Sequence, residues 1–278
     1  MCKPIAEKTG GKVRILIITN TTPYPQISGG RIRVYNFIKR LSENHEVWLA
    51  THLHNTDELN SLEHLKKYCQ GIESGLLGRK TPIEHLPGLL KYVLAGWPPE
   101  LKFTYSKELE DKIRQLTSQI DFDIVQIDES IMALYYQALP SNLGRKTILT
   151  FYDIGWEQTA RIAQINQNSV NRLRALISSK MMYRWEPRYA AHFDQCITVS
   201  EKDRQILLTA NPSLKIEVVP NGVDTRLLTP LPRRSDKTTL LFVGTMNYEP
   251  CIDGMVFFCK EVLPQLRKLL PDIELLIV

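Results

Sequence analysis

Short runs of apolar, often β-branched residues alternate with longer segments in which apolar positions recur every three or four residues, as βαβ units and a parallel sheet require. VRILIIT (Val13–Thr19) predicts the first strand. A loop rich in proline and glycine follows, then a helix over about Arg31–Ser42 and a second strand at HEVWLATH (His45–His52), which together make one βαβ unit. Leu109, Ile113, Leu116 and Ile120 share one face of a helix that begins near Ser106. DIVQI (Asp123–Ile127), TILTF (Thr147–Phe151), CITVS (Cys196–Ser200) and KIEVVP (Lys215–Pro220) continue the series of strands, with a helix between the last two that Ser200 caps and Asp203 favours from its first turn. The fold class is α/β.

Between Thr150 and Asp194 the pattern is helical for a long stretch, and Pro187 should kink or break it, because proline has no backbone N–H to donate. Arg172, Arg174, Lys180, Arg184 and Arg188 in that stretch read as a solvated face. After Pro220 the texture changes. Residues 1–220 form a first Rossmann-like domain, 221–238 a polar, proline-punctuated linker, and 239–278 the beginning of a second α/β domain whose helical segment should bend at Pro264. The sequence stops inside an apolar run, IELLIV (Ile273–Val278), so the expectation is a second domain cut short, with too few strands to bury both faces of its sheet.

Composition narrows the function classes. With 43% hydrophobic and 23% charged residues the chain is an ordinary globule, and a net charge of +5 is too mild for a nucleic-acid partner while permitting an anionic ligand or membrane surface. Five scattered cysteines with no CxxC spacing argue against a disulfide framework and a zinc knuckle. The polar start MCKPIAEKTGGK is no signal peptide and no apolar run is long enough to span a bilayer, so a cytoplasmic protein is expected. LPGLLKYVLAGWPPELKF (Leu86–Phe103) is either a flap touching a lipid-linked acceptor or the membrane interface, or an insertion packed on the first domain.

Candidate chemistry gathers after the strands, where open α/β sheets hold their ligands. Gly29 and Gly30, in the loop before the first helix, either let a phosphate approach backbone amides or serve a turn that needs positive φ. No GxGxxG is present, which weakens a nicotinamide or flavin reading. Asp128 and Glu129 follow one strand; Tyr152 and Asp153 follow the next, Asp153 as a ligand group or as a helix cap. The Asp121-Phe122-Asp123 sequence lies at the wrong sheet end for a metal, His52 and His54 lack a third ligand, and Gly144-Arg145-Lys146-Thr147 precedes a strand where a phosphate loop follows one.

GGRIRVYNFIKRLSENHEV (Gly29–Val47), TFYDIGW (Thr150–Trp156), the VSEKD run at Val199–Asp203, VVPNGVD (Val218–Asp224) and LLFVGTMNYEPCIDGMVFF (Leu240–Phe258), in this order, resemble the family 4, GT-B glycosyltransferases. The resemblance implies two Rossmann-like domains, the acceptor mainly on the first and a nucleotide-sugar donor mainly on the second. It also implies retention at the anomeric carbon, no obligatory metal, and a place in polysaccharide or glycoconjugate biosynthesis. It puts Gly29, Gly30 and Arg33 near the donor phosphates or the acceptor, Gly244 in the matching loop of the second domain, and Asn221, Gly222 and Asp224 at the crossover. Catalytic positions fall on Asp153 and on Tyr152, where many members carry a histidine. The basic clamp and paired glutamates of the family's donor site lie beyond residue 278. The rival readings are a non-catalytic nucleotide- or glycan-binding module and a GT-B epimerase or phosphorylase.

Overall fold

A computed structural model describes residues 11–77, 96–140, 146–165, 168–229, 238–246 and 249–278. The chain divides into two compact units, Met1–Gly222 and Val223–Val278. In the first, strands β1 (Arg14–Thr19), β2 (Glu46–Leu53), β3 (Gly71–Leu76), β4 (Ile124–Asp128), β5 (Lys146–Phe151), β6 (Gln195–Thr198) and β7 (Ile216–Val218) form one seven-stranded sheet in the order β3-β2-β1-β4-β5-β6-β7. Every pairing is parallel.

A parallel sheet must be covered on both faces, and the period-two alternation of β1 divides its residues between them. Ile15 and Ile17 pack with Val34, Tyr35 and Ile38 of helix α1 (Gly29–Leu41) and with Leu62 and Leu65 of helix α2 (Leu59–Leu65). Leu16 and Ile18 face the other way, toward Leu109 and Ile113 of helix α3 (Lys107–Gln119) and Met132 of a 3-10 segment, Ser130–Ala138. Met182 and Trp185 belong to the same core. Helices α4 (Gly155–Ile165), α5 (Ser169–Ala190) and α6 (Glu201–Ala210) complete the unit. Ser106 caps α3 by accepting from the Leu109 N–H, and Ser200 caps α6 by accepting from that of Asp203.

Four features differ from the sequence pattern. β3 and α2 were not expected: GIESGL carries two glycines and a glutamate, and it forms a half-exposed edge strand because β2 offers an open ladder. The long helical stretch breaks before Ser169, where Asn168 accepts from Val170 N at 2.9 Å and Asn171 N at 3.2 Å, and not at Pro187. Pro187 lies in the last turn of α5, where the missing N–H costs the helix only the bond to the Tyr183 carbonyl. Gly29 and Gly30 are the first residues of α1 and not part of the loop before it, and neither has positive φ. The turn reading of the glycine pair therefore fails.

In the second unit β8 (Thr239–Phe242) pairs in parallel with β9 (Glu274–Ile277) as a separate two-stranded sheet. Helix α7 (Glu249–Phe257) passes through a π-helical turn, Phe258–Val262, into α8 (Leu263–Leu269), with Pro264 in the first turn of α8. Met255, Leu263 and Ile273 are buried, whereas Leu241 and Leu276 stay open to solvent, so one sheet face lacks a cover.

Candidate functional site at the carboxyl edge of the sheet

The strand order reverses between β1 and β4, and at such a switch point the connections leave on opposite faces and open a crevice at the carboxyl ends. Asn20 follows β1 and Glu129 follows β4; the Asn20 side-chain amide donates to Glu129 Oε2 at 3.2 Å across that point. Glu129 has φ 71° and ψ 132°, and no other described non-glycine residue has positive φ. A side chain there is strained by about 1–3 kcal/mol. Burial, opposed by the Asn20 bond and reinforced by Asp128 and Asp153, pushes its carboxyl up to about 7.

Behind Asn20 runs a buried relay. His52 Nδ1 lies 3.2 Å from Asn20 Oδ1, and His52 Nε2 lies 2.7 Å from the Tyr135 hydroxyl, which also accepts from Ser106 N at 2.7 Å. Since the amide nitrogen of Asn20 is turned to Glu129, its oxygen accepts from His52 Nδ1–H, and Nε2 accepts from Tyr135. Burial holds His52 down to about 3, so it stays neutral. Both ring nitrogens are committed, which leaves nothing for a metal. His54 turns instead to the Asn20 carbonyl at 3.1 Å.

On the α1 side Arg33 is 7% exposed, and its Nη1 donates to Asn221 Oδ1 at 2.9 Å. The guanidinium stands over the Phe37 ring at 4.7 Å and the Tyr152 ring at 6.0 Å. Its Nε and Nη2 are buried with no hydrogen-bond partner among the described residues; Asp128 Oδ2 and the Tyr152 hydroxyl are buried beside them, and the phenol acts on the Asp128 carboxyl as a hydrogen-bond donor. The other Asp128 oxygen accepts from Gln126 Nε2 at 3.1 Å. Burial raises Asp128 against the pull of Gln126, Thr150, Arg33 and Tyr152; burial and the charges of Asp128 and Glu129 raise Tyr152, which stays a neutral phenol. Tyr152 also explains Gly30: a Cβ there would stand 3.3 Å from the ring, whereas at Gly29 it would meet nothing.

Asp153 lies at the surface, where partial desolvation by its neighbours, followed by repulsion from Asp203, raises its carboxyl. It does not cap α4. Glu186, 1% exposed, does so from α5: its carboxylate accepts from Gly155 N at 3.2 Å, Trp156 N at 3.3 Å and the Ser130 hydroxyl at 2.5 Å. Burial nonetheless pushes Glu186 up to about 7. Gly155 has no room for a Cβ, which would stand 2.6 Å from Met182 Cε and 2.7 Å from Glu186 Oε1.

The structure thus gathers Gly29, Gly30, Arg33, Asp128, Glu129, Tyr152, Asp153 and Asn221 on one edge of the first unit. Gly244 belongs to the second unit, where a Cβ would stand 2.7 Å from the Phe242 ring. Asn20, His52 as a relay, and Glu186 were not anticipated. Asn20 directly follows a strand and the same carboxyl-edge rule points to it; nothing local marks Glu186. Asp123 is structural, accepting from Arg14 N at 3.0 Å at the opposite sheet edge. Gly144 and Arg145 lie outside the described residues, as do residues 86–95 of the proposed flap. The described end of that flap is packed down: Leu101 is fully buried and the Trp97 ring meets Tyr189 edge-on at 6.2 Å.

A family model described as Glycosyltransferase Family 4 matches residues 27–227, well over half of the chain. The chain belongs to Glycosyltransferase Family 4. The matched span includes every first-unit residue of the edge just described except Asn20. The family 4 chain is similar in fold to a sucrose-phosphate synthase from Thermosynechococcus elongatus, with a TM-score of 0.62 at 13% identity over 96% of this chain and 62% of that one. The N-terminal domain of a trehalose-6-phosphate phosphatase from Candida albicans gives a TM-score of 0.51 at 13% identity over 97% of this chain and 65% of that one. Its fold is the GT-B type, and the chain spans less than two thirds of the length of either structure. No curated protein matches the sequence.

Proposed function

We propose that the complete protein moves a sugar from a nucleoside-diphosphate sugar to a hydroxyl of a glycan or lipid-linked acceptor, with retention and without an obligatory metal. The reading extends to a cytoplasmic step in polysaccharide or glycoconjugate assembly. One observation carries this reading: at the switch point of a Family 4 sheet, a carboxyl on strained backbone, Glu129, stands with the buried polar groups of Asp128 and Tyr152 and with Arg33, whose buried Nε and Nη2 have no partner among the described residues. Such atoms cost about 1–3 kcal/mol each when left unsatisfied. A hydroxyl-rich ligand, or water standing in for it, supplies both donors and acceptors.

In the proposed reaction the acceptor hydroxyl binds Glu129 on the face of the sugar from which the diphosphate departs, and gives up its proton to that carboxylate as its oxygen bonds the anomeric carbon, so that configuration is retained. The bond from that carbon to the diphosphate oxygen breaks, and its electron pair leaves with the diphosphate. Glu129, pushed up to about 7, is poised for proton transfer near neutrality. Tyr152 and Asp153 orient the acceptor. The free N–H groups at the start of α1, beside Gly29 and Gly30, favour an anion such as the departing diphosphate. Arg33 holds Asn221 and completes the polar wall.

Incubating the complete protein with a panel of labelled nucleotide sugars and glycan or lipid acceptors tests the reading. Label in the acceptor with release of nucleoside diphosphate supports it. An epimerised nucleotide sugar, a free sugar phosphate, or binding without turnover each refutes it in favour of an epimerase, a phosphorylase or a binding module.

A further inference from the structure

Helices α4 and α5 form an antiparallel hairpin whose root is pinned by Glu186 to the start of α4, at the carboxyl edge of the sheet. At 1.5 Å per residue, Ser169 lies about 25 Å along α5 from Glu186. The hairpin therefore reaches out beyond the edge that carries Glu129 and Tyr152. Its outer part is apolar and open: Ile162, Ile165, Val170, Leu173, Leu176 and Ile177 are 44% to 60% exposed. With about 100° of turn per residue, Val170, Leu173 and Ile177 fall within an arc of about 60°. Arg174 flanks that stripe on one side, and Leu176 and then Arg172 flank it on the other.

Outward of its two acidic residues near the root, Glu157 and Glu186, charge on this hairpin has one sign. From Gln158 to Trp185 the sequence holds five Arg or Lys and no Asp or Glu. Arg161 is paired with Glu157 at 4.0 Å, whereas Arg172, Arg174, Lys180 and Arg184 are exposed with no ion-pair partner among the described residues. An aliphatic stripe bordered by long basic side chains suits a headgroup layer, since the stripe enters the acyl boundary while the arginine stems lie along it and their guanidiniums reach phosphates. A protein partner would need an acidic rim of matching shape; an anionic bilayer offers that charge everywhere. No described helix is long and apolar enough to cross a membrane.

We propose that the α4–α5 hairpin seats the protein on an anionic membrane surface, with Val170, Leu173 and Ile177 in the headgroup layer and Arg172 and Arg174 on lipid phosphates. This moves the membrane contact from the Leu86–Phe103 segment to a different element, and its test needs no catalytic turnover.

The test is flotation of the purified chain with vesicles of phosphatidylcholine alone or mixed with an equal part of phosphatidylglycerol. The chain should float with the mixed vesicles and not with the neutral ones, and added salt should release it. Arg172→Glu with Arg174→Glu should weaken partition at least about 25-fold, as each basic residue near a charged surface is worth roughly fivefold. Leu173→Ser with Ile177→Ser should weaken it as well, with the melting temperature unchanged; if that pair unfolds, the charge-reversal pair decides alone. Equal flotation on both vesicle types, flotation indifferent to the charge reversal, or no flotation overturns the proposal. So does a dimer that Leu173→Ser with Ile177→Ser disperses in the absence of any vesicle binding.

Discussion

Glu129 sits in backbone geometry that glycine occupies freely and a side chain does not. Two effects compete on Glu129→Gly: relief of strain, about 1–3 kcal/mol, and a more flexible unfolded chain, about 0.5–1 kcal/mol. The variant should unfold at equal or higher denaturant than the wild type, so the glutamate is retained for its carboxyl and not for the fold. Loss of more than about 1 kcal/mol in equilibrium unfolding would assign it a structural role instead. His52 offers a second check at this scale. Its burial and two committed nitrogens predict that its ring carbons and nitrogens show no titration between pH 5 and pH 8 by NMR, with the proton on Nδ1. A midpoint inside that window contradicts the relay.

At the scale of elements, the placement of α4 depends on Glu186, which reaches from another helix to its first two N–H groups. Glu186→Ala leaves three buried donors short of a partner and should destabilise the first unit by about 1–3 kcal/mol. The pH dependence follows from the direction of the shift. Glu129 and Glu186 are raised from 4.5 to about 7, so the folded state holds protons that the unfolded state has released. Their contribution is fully present below the ordinary carboxylate range and is lost as pH rises through about 7. Thermal stability of the first unit should therefore fall from pH 5 to pH 8, with a shallower slope in Glu186→Gln. Equal slopes for the two proteins would remove Glu186 from the account.

The elements most legible in the sequence were those whose signal is local. Leu109 and Ile113 on one face, and the serines before Asp203 and Leu109, mark helices because propensity, pattern and cap agree within a few residues. β3 was hidden because an edge strand with two glycines is held by its neighbour's ladder and not by its own residues. The same distinction runs through the site. Asp128, Glu129, Tyr152 and Asp153 follow strands and were found by that rule; Glu186 stands 57 positions after Glu129 and only the folded hairpin brings it under the same edge. Arg33 came from its segment's resemblance, but its burial against Tyr152 is a tertiary fact.

At the scale of the whole molecule, residues up to Gly222 hold a complete seven-stranded sheet with both faces covered, whereas Val223–Val278 holds two strands with one face open. A variant ending at Gly222 should keep the main cooperative unfolding transition of the chain, with a midpoint within a few degrees by calorimetry. Loss of that transition would mean that the first unit does not fold by itself. The central claim is that sugar transfer is run from the switch point between β1 and β4, through the Glu129 carboxyl. The most direct measurement is kcat/KM of the complete protein for Glu129→Gln beside a surface control, Glu63→Gln. The account predicts a fall of about 100-fold or more for the first, the usual weight of a proton-transfer group, with the control unchanged. Activity of Glu129→Gln equal to that of the control would contradict it.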